Sequence, residues 1–250
     1  LVVGYKATRG RYSMEGVFPL AKSLDSLGPL CRTVQDAVLV DAAMRGLPAA
    51  NALLRINAAD LAFVIPETVV FDGAEPAVVT AFEAAVHQLS RAGARIRRAA
   101  FPEFSAIFDL MARHGALVTA EAFVLHHARI TGPQAADMDP RVVKRTLLGA
   151  NISLSDYVET LAARERLIAA FEARLEPAEL VLSPTLAHVA PALQPLLDDE
   201  ELFFQLNGKT LRNTLIGNFL DCCGISLPCG TGAGGMPVGL LVSGPKDSDD

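Results

Sequence analysis

A strand–helix–strand pattern constrains the fold more strongly than any other feature of this sequence. An apolar run at residues 61–65 ends at a proline, and this predicts a short buried strand. Apolar residues then recur at helical spacing over 76–91. Gly93 ends this helix, and the weakly alternating segment 94–99 follows as a second strand. Two strands joined by a helix pair in parallel, so we expect an α/β protein.

The remaining periodicities predict further helices and short strands around this unit. Thr33 is the expected N-cap of one helix, and Ser155 is the expected N-cap of the clearest helix, over 156–175. Residues 191–211, which include an acidic run at 198–201, predict a loop. Other expected elements are helices at 104–130, 142–148 and 214–220, and buried strands at 180–182, 225–227 and 238–243. The pattern indicates one domain, or part of one, with a parallel or mixed sheet and helices on both faces.

The composition excludes several classes of protein. Hydrophobic residues make up 51% of the 250 residues and charged residues 20%, which is typical of a well-packed globular protein. The net charge of -6 argues against a nucleic-acid-binding surface. The longest apolar runs, such as 116–125 with Glu121 inside it, are shorter than the roughly 20 residues of a membrane span. Lys6, Arg9 and Arg11 interrupt the start before a signal-peptide core develops. We therefore expect a cytoplasmic protein that binds neither nucleic acid nor membrane.

No set of side chains in the sequence suffices for catalysis or metal binding. The five histidines lack HxxxH and HExxH spacing, and no GxSxG pentapeptide marks a nucleophile elbow. The glycine-rich stretch 230–235 lacks the ending of a phosphate-binding loop and predicts a turn between strands. The four cysteines do not have zinc-ribbon or CxxC spacing. We interpret them as small core residues, with a reactive thiol near a pocket as the alternative. Neither a metal nor a cofactor is expected.

Asp25 and three basic residues near the start have simple structural explanations. A short acidic residue among turn residues usually accepts hydrogen bonds from backbone N–H groups, and this is the role expected for Asp25. Lys6, Arg9 and Arg11 are expected on a solvated face, with a small anion site as the alternative. The residues alone therefore define an α/β domain without a self-sufficient catalytic set.

Several runs, taken together and in order, resemble the amidase signature family, the serine hydrolases that cleave carboxamides. The runs that carry the resemblance are GYKATRGR at 4–11, GVFPLAKSLDSLGPL at 16–30, RTVQDA at 32–37, LVLSPT at 180–185, GISLPCG at 224–230, GMPVGL at 235–240 and the Gly-Pro pair at 244–245. They span nearly the whole chain. The resemblance implies a mixed, twisted sheet covered by helices on both faces, and a single amidase-type domain fragment over residues 1–250.

The resemblance also implies a Ser-cisSer-Lys triad. In the family, the lysine is the base, a bridging serine relays the proton, and the second serine attacks the amide carbonyl. Backbone N–H groups of a glycine-rich loop stabilise the oxyanion. All of these groups precede Leu1 in the family's order, and neither Lys6 nor Lys22 occupies the motif position of the lysine. We therefore assign no catalytic residue to this chain, and expect an excised C-terminal portion that is inactive alone.

The substrate contacts implied by the resemblance come from a variable middle region, about residues 50–175, and from the segment before the last strands. Arg145 is the candidate for pairing with a substrate carboxylate, because a guanidinium binds a carboxylate through two hydrogen bonds. Asn213 and Asn218 are the other substrate-binding candidates. The alternative for the three is a surface arginine and two asparagines near a helix end.

The function implied by the resemblance is hydrolysis of a small carboxamide to an acid and ammonia, without a cofactor. The expected partner is the small-molecule amide, and the chain is compatible with a homodimer. Two alternatives stay open: a non-catalytic amidase-like binding or partner chain, and the amidase-like subunit of a tRNA-dependent amidotransferase. The Asp-Cys-Cys run at 221–223, where many members carry Gly-x-Pro, resembles free-standing amidases and slightly favours them.

Overall fold

A seven-stranded sheet runs through the residues that the computed structural model describes, which are 2–48, 53 and 55–250. The strands are β1 (Val3–Lys6), β2 (Leu30–Cys31), β3 (Ala62–Pro66), β4 (Arg95–Ala99), β5 (Glu179–Pro184), β6 (Cys223–Thr231) and β7 (Pro237–Gly244). Their order is β2-β1-β6-β7-β5-β3-β4. Strand β3 pairs in parallel with β4 and with β5, and the other neighbouring pairs are antiparallel. The predicted parallel unit and the mixed sheet are both confirmed.

The helices lie between the strands in sequence. They are α1 (Val34–Met44), α2 (Pro76–Arg91), α3 (Pro102–His114), α4 (Leu117–Thr131), α5 (Pro140–Leu147), α6 (Leu154–Glu172), α7 (Leu193–Asp198) and α8 (Glu200–Phe219). A 3₁₀ turn, Leu148–Asn151, connects α5 with the segment before α6. The N-cap of α1 is Thr33, as predicted, and its hydroxyl accepts a hydrogen bond from the Asp36 N–H group.

Alternate residues of β3 contact two hydrophobic cores, one on each face of the sheet. Phe63 and Ile65 pack with Phe82 of α2. Val64 packs instead with residues of α3, α6 and α8, among them Phe104. This separation follows from the strand geometry, since successive side chains point to opposite faces. The prediction of helices on both faces of the sheet is confirmed.

The single helix predicted over 104–130 is wrong, because Gly115 divides it into α3 and α4. Gly115 has φ of 82°, in the left-handed region that only glycine adopts without strain. A Cβ atom at this position would lie 2.6 Å from the Ile152 side chain. The apolar periodicity continues across the break, so it does not reveal the change of direction.

The prediction that Ser155 caps the next helix is also wrong. The cap of α6 is Ser153, whose hydroxyl accepts a hydrogen bond from the Asp156 N–H group at 3.1 Å. The Asp156 carboxylate accepts in return from the Ser153 N–H group, which completes a capping box. The helix therefore starts at Leu154, and it ends at Glu172 rather than at residue 175.

The loop predicted over 191–211 is helical in the structure. Asp199 caps α8 by accepting a hydrogen bond from the Leu202 N–H group at 3.0 Å. Glu200 and Glu201 follow in the first turn, where carboxylates stabilise the positive end of the helix dipole. The acidic run that suggested a loop is thus the start of a helix, and the helix predicted at 214–220 is its last part.

Candidate substrate pocket

A pocket of about 480 Å³ opens between α4, the turn Leu148–Asn151 and the start of α6. Small-molecule sites have volumes of about 300–1,000 Å³. The walls are mostly apolar, with few polar side chains among them. The lining residues are Lys22, Ala120, Glu121, Phe123, Val124, Leu125, Gly149, Ala150, Ile152, Ser153, Leu154 and Tyr157. All except Lys22 belong to the region from about 50 to 175, whose first residues, 50–52 and 54, lie outside the described part of the chain.

Gly149 allows the turn to lie directly against α4. A Cβ atom on Gly149 would be 2.4 Å from the Cβ of Phe123 and 2.5 Å from the carbonyl oxygen of Thr119. Both distances are shorter than atoms in contact permit, so any other residue would push the turn away from the helix. The close packing of this turn fixes one wall of the pocket.

A buried carboxylate, Glu121, joins the wall of the pocket to two other segments. Its Oε1 atom accepts hydrogen bonds from the Ser23 hydroxyl at 2.5 Å and the Tyr157 hydroxyl at 3.0 Å. Its Oε2 atom accepts from the Ser23 N–H group at 2.9 Å. Burial, followed by the hydrogen bond to Glu121, raises the pKa of Tyr157, so its hydroxyl stays protonated and donates. Three donors satisfy a carboxylate that would otherwise be costly to bury.

Sequence reasoning missed Glu121 as a site residue, although its position carried a signal. It is the acidic residue inside the apolar run 116–125, and a carboxylate on the buried side of a helix must find hydrogen-bond donors. The donor residues are 98 and 36 positions away in sequence. The pattern therefore indicates that Glu121 has partners but not which ones.

The segment that carries Ser23 is also held by Asp25. The Asp25 carboxylate accepts hydrogen bonds from the N–H groups of Leu20, at 2.9 Å, and Ala21, at 3.0 Å. This is the backbone-capping role predicted for Asp25, and the prediction is confirmed. Lys22 lies between Ala21 and Ser23, whose N–H groups are both hydrogen-bonded to carboxylates. Its side chain is exposed at the edge of the pocket.

The solvated face predicted for the three basic residues is wrong. The Lys6 ammonium donates to the carbonyl oxygen of Cys222 at 2.8 Å. Arg11 donates from Nε to Asp41 at 2.7 Å, and Arg9 donates from Nε to Asp221 at 3.1 Å. Each basic side chain therefore bonds to groups of the protein, and partners so distant in sequence cannot be found from local pattern.

Asp221 is the centre of a buried ion-pair cluster. It accepts hydrogen bonds from Arg9 and from the Nη2 atom of Arg164 at 2.6 Å, and Arg164 also donates to the carbonyl oxygen of Phe219 at 2.7 Å. Burial alone would raise the pKa of Asp221, but the Arg9 hydrogen bond and the Arg164 charge outweigh it and hold that pKa below its ordinary value. The acidic residue of the Asp-Cys-Cys run, in the turn before β6, thus connects this turn with α6 and with the segment that follows β1.

The three residues predicted to bind substrate lie in different surroundings. Arg145 is exposed on α5 and donates to the side-chain oxygen of Asn207 at 2.8 Å. Asn213 is buried on α8, and its amide donates to the carbonyl oxygens of Val70, at 3.0 Å, and Pro184, at 2.9 Å. Asn218 is half-buried one turn further along α8. None of the three lines the 480 Å³ pocket.

The interpretation of the cysteines as core residues is confirmed for the vicinal pair. Cys222 and Cys223 are buried, and all four cysteines are free thiols. Burial raises the pKa of Cys222 to about 12. A thiol with this pKa is protonated at neutral pH and is a weak nucleophile.

The described residues hold no hydrogen bond between a lysine ammonium and a serine hydroxyl, as a Ser-cisSer-Lys triad would require. Within the same ranges, no three His, Cys, Asp or Glu side chains cluster as metal ligands. None of the helices described has the length and apolar character needed to cross a bilayer.

Comparisons with known proteins match the chain over its full length. The amidase family model matches residues 1–250. The chain is 34% identical to 2-amino-5-chloromuconic acid deaminase of Comamonas testosteroni, an alignment that covers 99% of this chain and 53% of that protein. It is 30% identical to a glutamyl-tRNA(Gln) amidotransferase subunit of Salinispora arenicola (strain CNS-205), covering 99% and 57%. It superposes on a crystal structure of an amidase with a TM-score of 0.82 at 28% identity, covering 99% and 55%. The chain thus spans about half the length of the relatives that it matches.

Proposed function

We propose that this chain, which belongs to the amidase family, takes part in the hydrolysis of a carbon–nitrogen bond in a small carboxamide. Water attacks the carbonyl carbon and the carbon–nitrogen bond breaks, so the products are a carboxylic acid and ammonia. The observation that carries the proposal is the family match over residues 1–250. The relatives named for a deaminase and for an amidotransferase subunit both support chemistry at carbon–nitrogen bonds.

The proposal divides the work between this chain and sequence that precedes it in the family's order. The Ser-cisSer-Lys triad and the oxyanion loop belong to that preceding sequence, so residues 1–250 form a single domain fragment without activity of its own. This chain supplies the central strands of the sheet and, from the region 50–175, the wall of the substrate pocket. The support is that a pocket lies there, and that the matched relatives are about twice as long.

The experiment compares two proteins with a fluorophosphonate probe for reactive serines. One is the 250-residue chain, and the other is the same chain preceded by the signature-bearing half of an amidase. We expect the probe to label the longer protein alone, and only this protein to release ammonia from simple carboxamides. A stoichiometric adduct on a serine of the shorter chain, located by mass spectrometry, would contradict the proposed division.

We also propose that Arg145, Asn213 and Asn218 contribute to substrate binding, with Arg145 pairing a carboxylate. In the active longer protein, Arg145→Ala is then expected to raise KM about tenfold for carboxylated amides, since a hydrogen bond to a charged group stabilises by about 1.5–3 kcal/mol. KM for neutral amides should change little. The control is Arg113→Ala, which removes another exposed arginine, on α3. Equal effects on both classes of amide would remove Arg145 from the site.

The second candidate is the amidase-like component of a tRNA-dependent amidotransferase, which the 30% identity with a subunit of such an enzyme favours. Preference for glutamine over other carboxamides in the longer protein would support this candidate. The proposal further includes a cytoplasmic location and a homodimer, which cell fractionation and light scattering test.

A further inference from the structure

The inference concerns Lys22, the one cationic side chain among those that line the 480 Å³ pocket. The structure pairs Lys144 with Glu200, but among the described residues no carboxylate forms an ion pair with Lys22. Arg145 already donates to Asn207 and does not line the pocket. The pocket therefore has at its edge one cationic side chain that forms no ion pair with the described residues.

The acidic residue of the pocket, Glu121, does not form an ion pair with Lys22. The Glu121 carboxylate is buried and accepts three hydrogen bonds, all from Ser23 and Tyr157. A carboxylate has about four acceptor positions, so Glu121 retains capacity for one more N–H donor. Its negative charge would repel a second carboxylate and would favour an amide or amine nitrogen.

The backbone that carries Lys22 is held in place on both sides. Ser23 bonds to Glu121 through both its hydroxyl and its N–H group, and Ala21 bonds to the Asp25 carboxylate. Lys22 is thus presented by a fixed segment rather than by a free loop, although its side chain is exposed. Fixing the segment lowers the entropy that a ligand must remove to bind.

We infer that this pocket binds a carboxylate joined to an apolar chain, with Lys22 pairing the carboxylate and the apolar walls covering the chain. The inference deepens the proposed function and rests on it for the identity of the ligand. It assigns to Lys22 the substrate carboxylate for which Arg145 is the other candidate, and the Lys22→Met and Arg145→Ala variants distinguish the two. The substrate would be an amide that also bears a free carboxylate, and its amide nitrogen would face the Glu121 side. Asp25 acts as a positioning residue, since it reaches the ligand only through the segment that carries Lys22.

The test measures binding to the 250-residue chain, where catalysis plays no part. The chain has no tryptophan and three tyrosines, one of which, Tyr157, lines the pocket, so tyrosine fluorescence reports on occupancy. The probes are the monoamide of adipic acid, hexanoate and hexanamide, which do not absorb where tyrosine does. We expect saturable binding in that order of decreasing affinity.

Three variants separate the charge from the cavity. Lys22→Met should weaken binding of the two carboxylates about three- to fivefold, the range of an exposed ion pair, and leave hexanamide unchanged. Lys22→Arg should restore the affinity. Ala150→Phe, which fills the pocket from an exposed position, should abolish binding of all three probes. The matched control is Lys246→Met, another exposed lysine, which should bind like the parent chain.

Two results would overturn the inference. One is equal affinity for hexanoate and hexanamide, unchanged by Lys22→Met, and the other is no saturable binding of any probe. Either result would reject the binding of a carboxylate in this pocket. If the longer protein still releases ammonia, the proposed function is retained. Binding as expected, with no amide hydrolysis by the longer protein, would remove the proposed function and leave the pocket.

Discussion

The two edges of the sheet differ in what they present to their surroundings. At the β4 edge, Arg97 donates to Glu179 at 2.7 Å and Arg98 donates to Glu83 at 2.6 Å. At the β2 edge, Leu30 is 78% exposed. Further large apolar side chains are exposed on and after the neighbouring helix α1, and these are Leu39, Val40, Met44 and Leu47.

The two edges differ in how well they are protected from pairing with other chains. Natural sheets block their free edges with charged side chains, because an unblocked edge pairs with other chains. The arginines of β4 meet this requirement. Exposed apolar side chains grouped near one edge, as near β2, are typical of a surface that another polypeptide covers. The contrast agrees with relatives that extend beyond the matched region.

The largest expected effect comes from breaking the charge cluster beside β1 and β6, in the half of the sheet that ends at β2. Arg164→Met would leave Asp221 and the Phe219 carbonyl with fewer donors in a buried site. Removing one partner of a buried ion pair costs about 3–5 kcal/mol, and we expect about 3 because Arg9 stays paired with Asp221. Urea unfolding followed by circular dichroism measures the loss in free energy of unfolding.

The matched control is Arg98→Met at the β4 edge. The Arg98–Glu83 pair is 42% and 44% exposed, and exposed pairs contribute about 0–1 kcal/mol. We therefore expect a loss below about 1 kcal/mol for this variant. Equal losses in the free energy of unfolding for Arg164→Met and Arg98→Met would show that the two ion pairs contribute equally to stability, which contradicts the proposed difference.

The same contrast shows which parts of the fold the sequence determines locally. The strands β3, β4 and β5 and helix α2 follow from apolar periodicity and from the prolines and glycines that end each run. Asp25 was assigned correctly because its donors are four and five residues away. Arg9 and Arg11 were not, because their partners lie 212 and 30 residues away and only the fold brings them together.

The candidate site likewise combines features that the sequence predicts with features that only the fold brings together. The sequence could indicate a variable region and single residues such as Arg145, but the pocket forms only where α4, the Leu148–Asn151 turn and Lys22 meet. The position of Glu121 inside an apolar run indicated that its carboxylate needs hydrogen-bond donors, but not which residues supply them. The loop predicted at 191–211 failed for a different reason, since an acidic run is compatible both with solvated coil and with the first turn of a helix.

A smaller effect on stability is expected when the pH is lowered, and it should come from the carboxylates that Arg9 and Arg11 bind. The pKa of Asp221 and that of Asp41 are both lowered, despite burial, by hydrogen bonds from Arg9 and Arg11 respectively. A lowered pKa means that the stabilisation is present above the unfolded value, about 3.9, and is lost as the pH falls through the folded value. We expect the urea midpoint to fall between pH 6 and pH 3.

Asp221→Asn should reduce that pH dependence, because one of the two responsible carboxylates is gone. Glu83→Gln, which removes an exposed carboxylate at the β4 edge, should leave it as in the parent chain. The measurement is the difference in urea midpoint between the two pH values for each variant. If Asp221→Asn leaves this difference unchanged, the carboxylates responsible for the acid sensitivity lie elsewhere.

The smallest effect on stability is expected from a charged residue on β2 and an apolar residue on β4. These two substitutions are also the most direct test of the difference between the edges. Leu30→Lys places a charge on an exposed position of β2, so the free energy of unfolding should change by less than about 0.5 kcal/mol. Self-association of the chain, measured by light scattering over a range of concentrations, should decrease because a charged edge resists pairing. Arg98→Leu at β4 should increase association for the converse reason. If Leu30→Lys leaves association unchanged, the apolar surface beside β2 is not the surface through which the chain associates, and the proposed difference between the two edges is wrong.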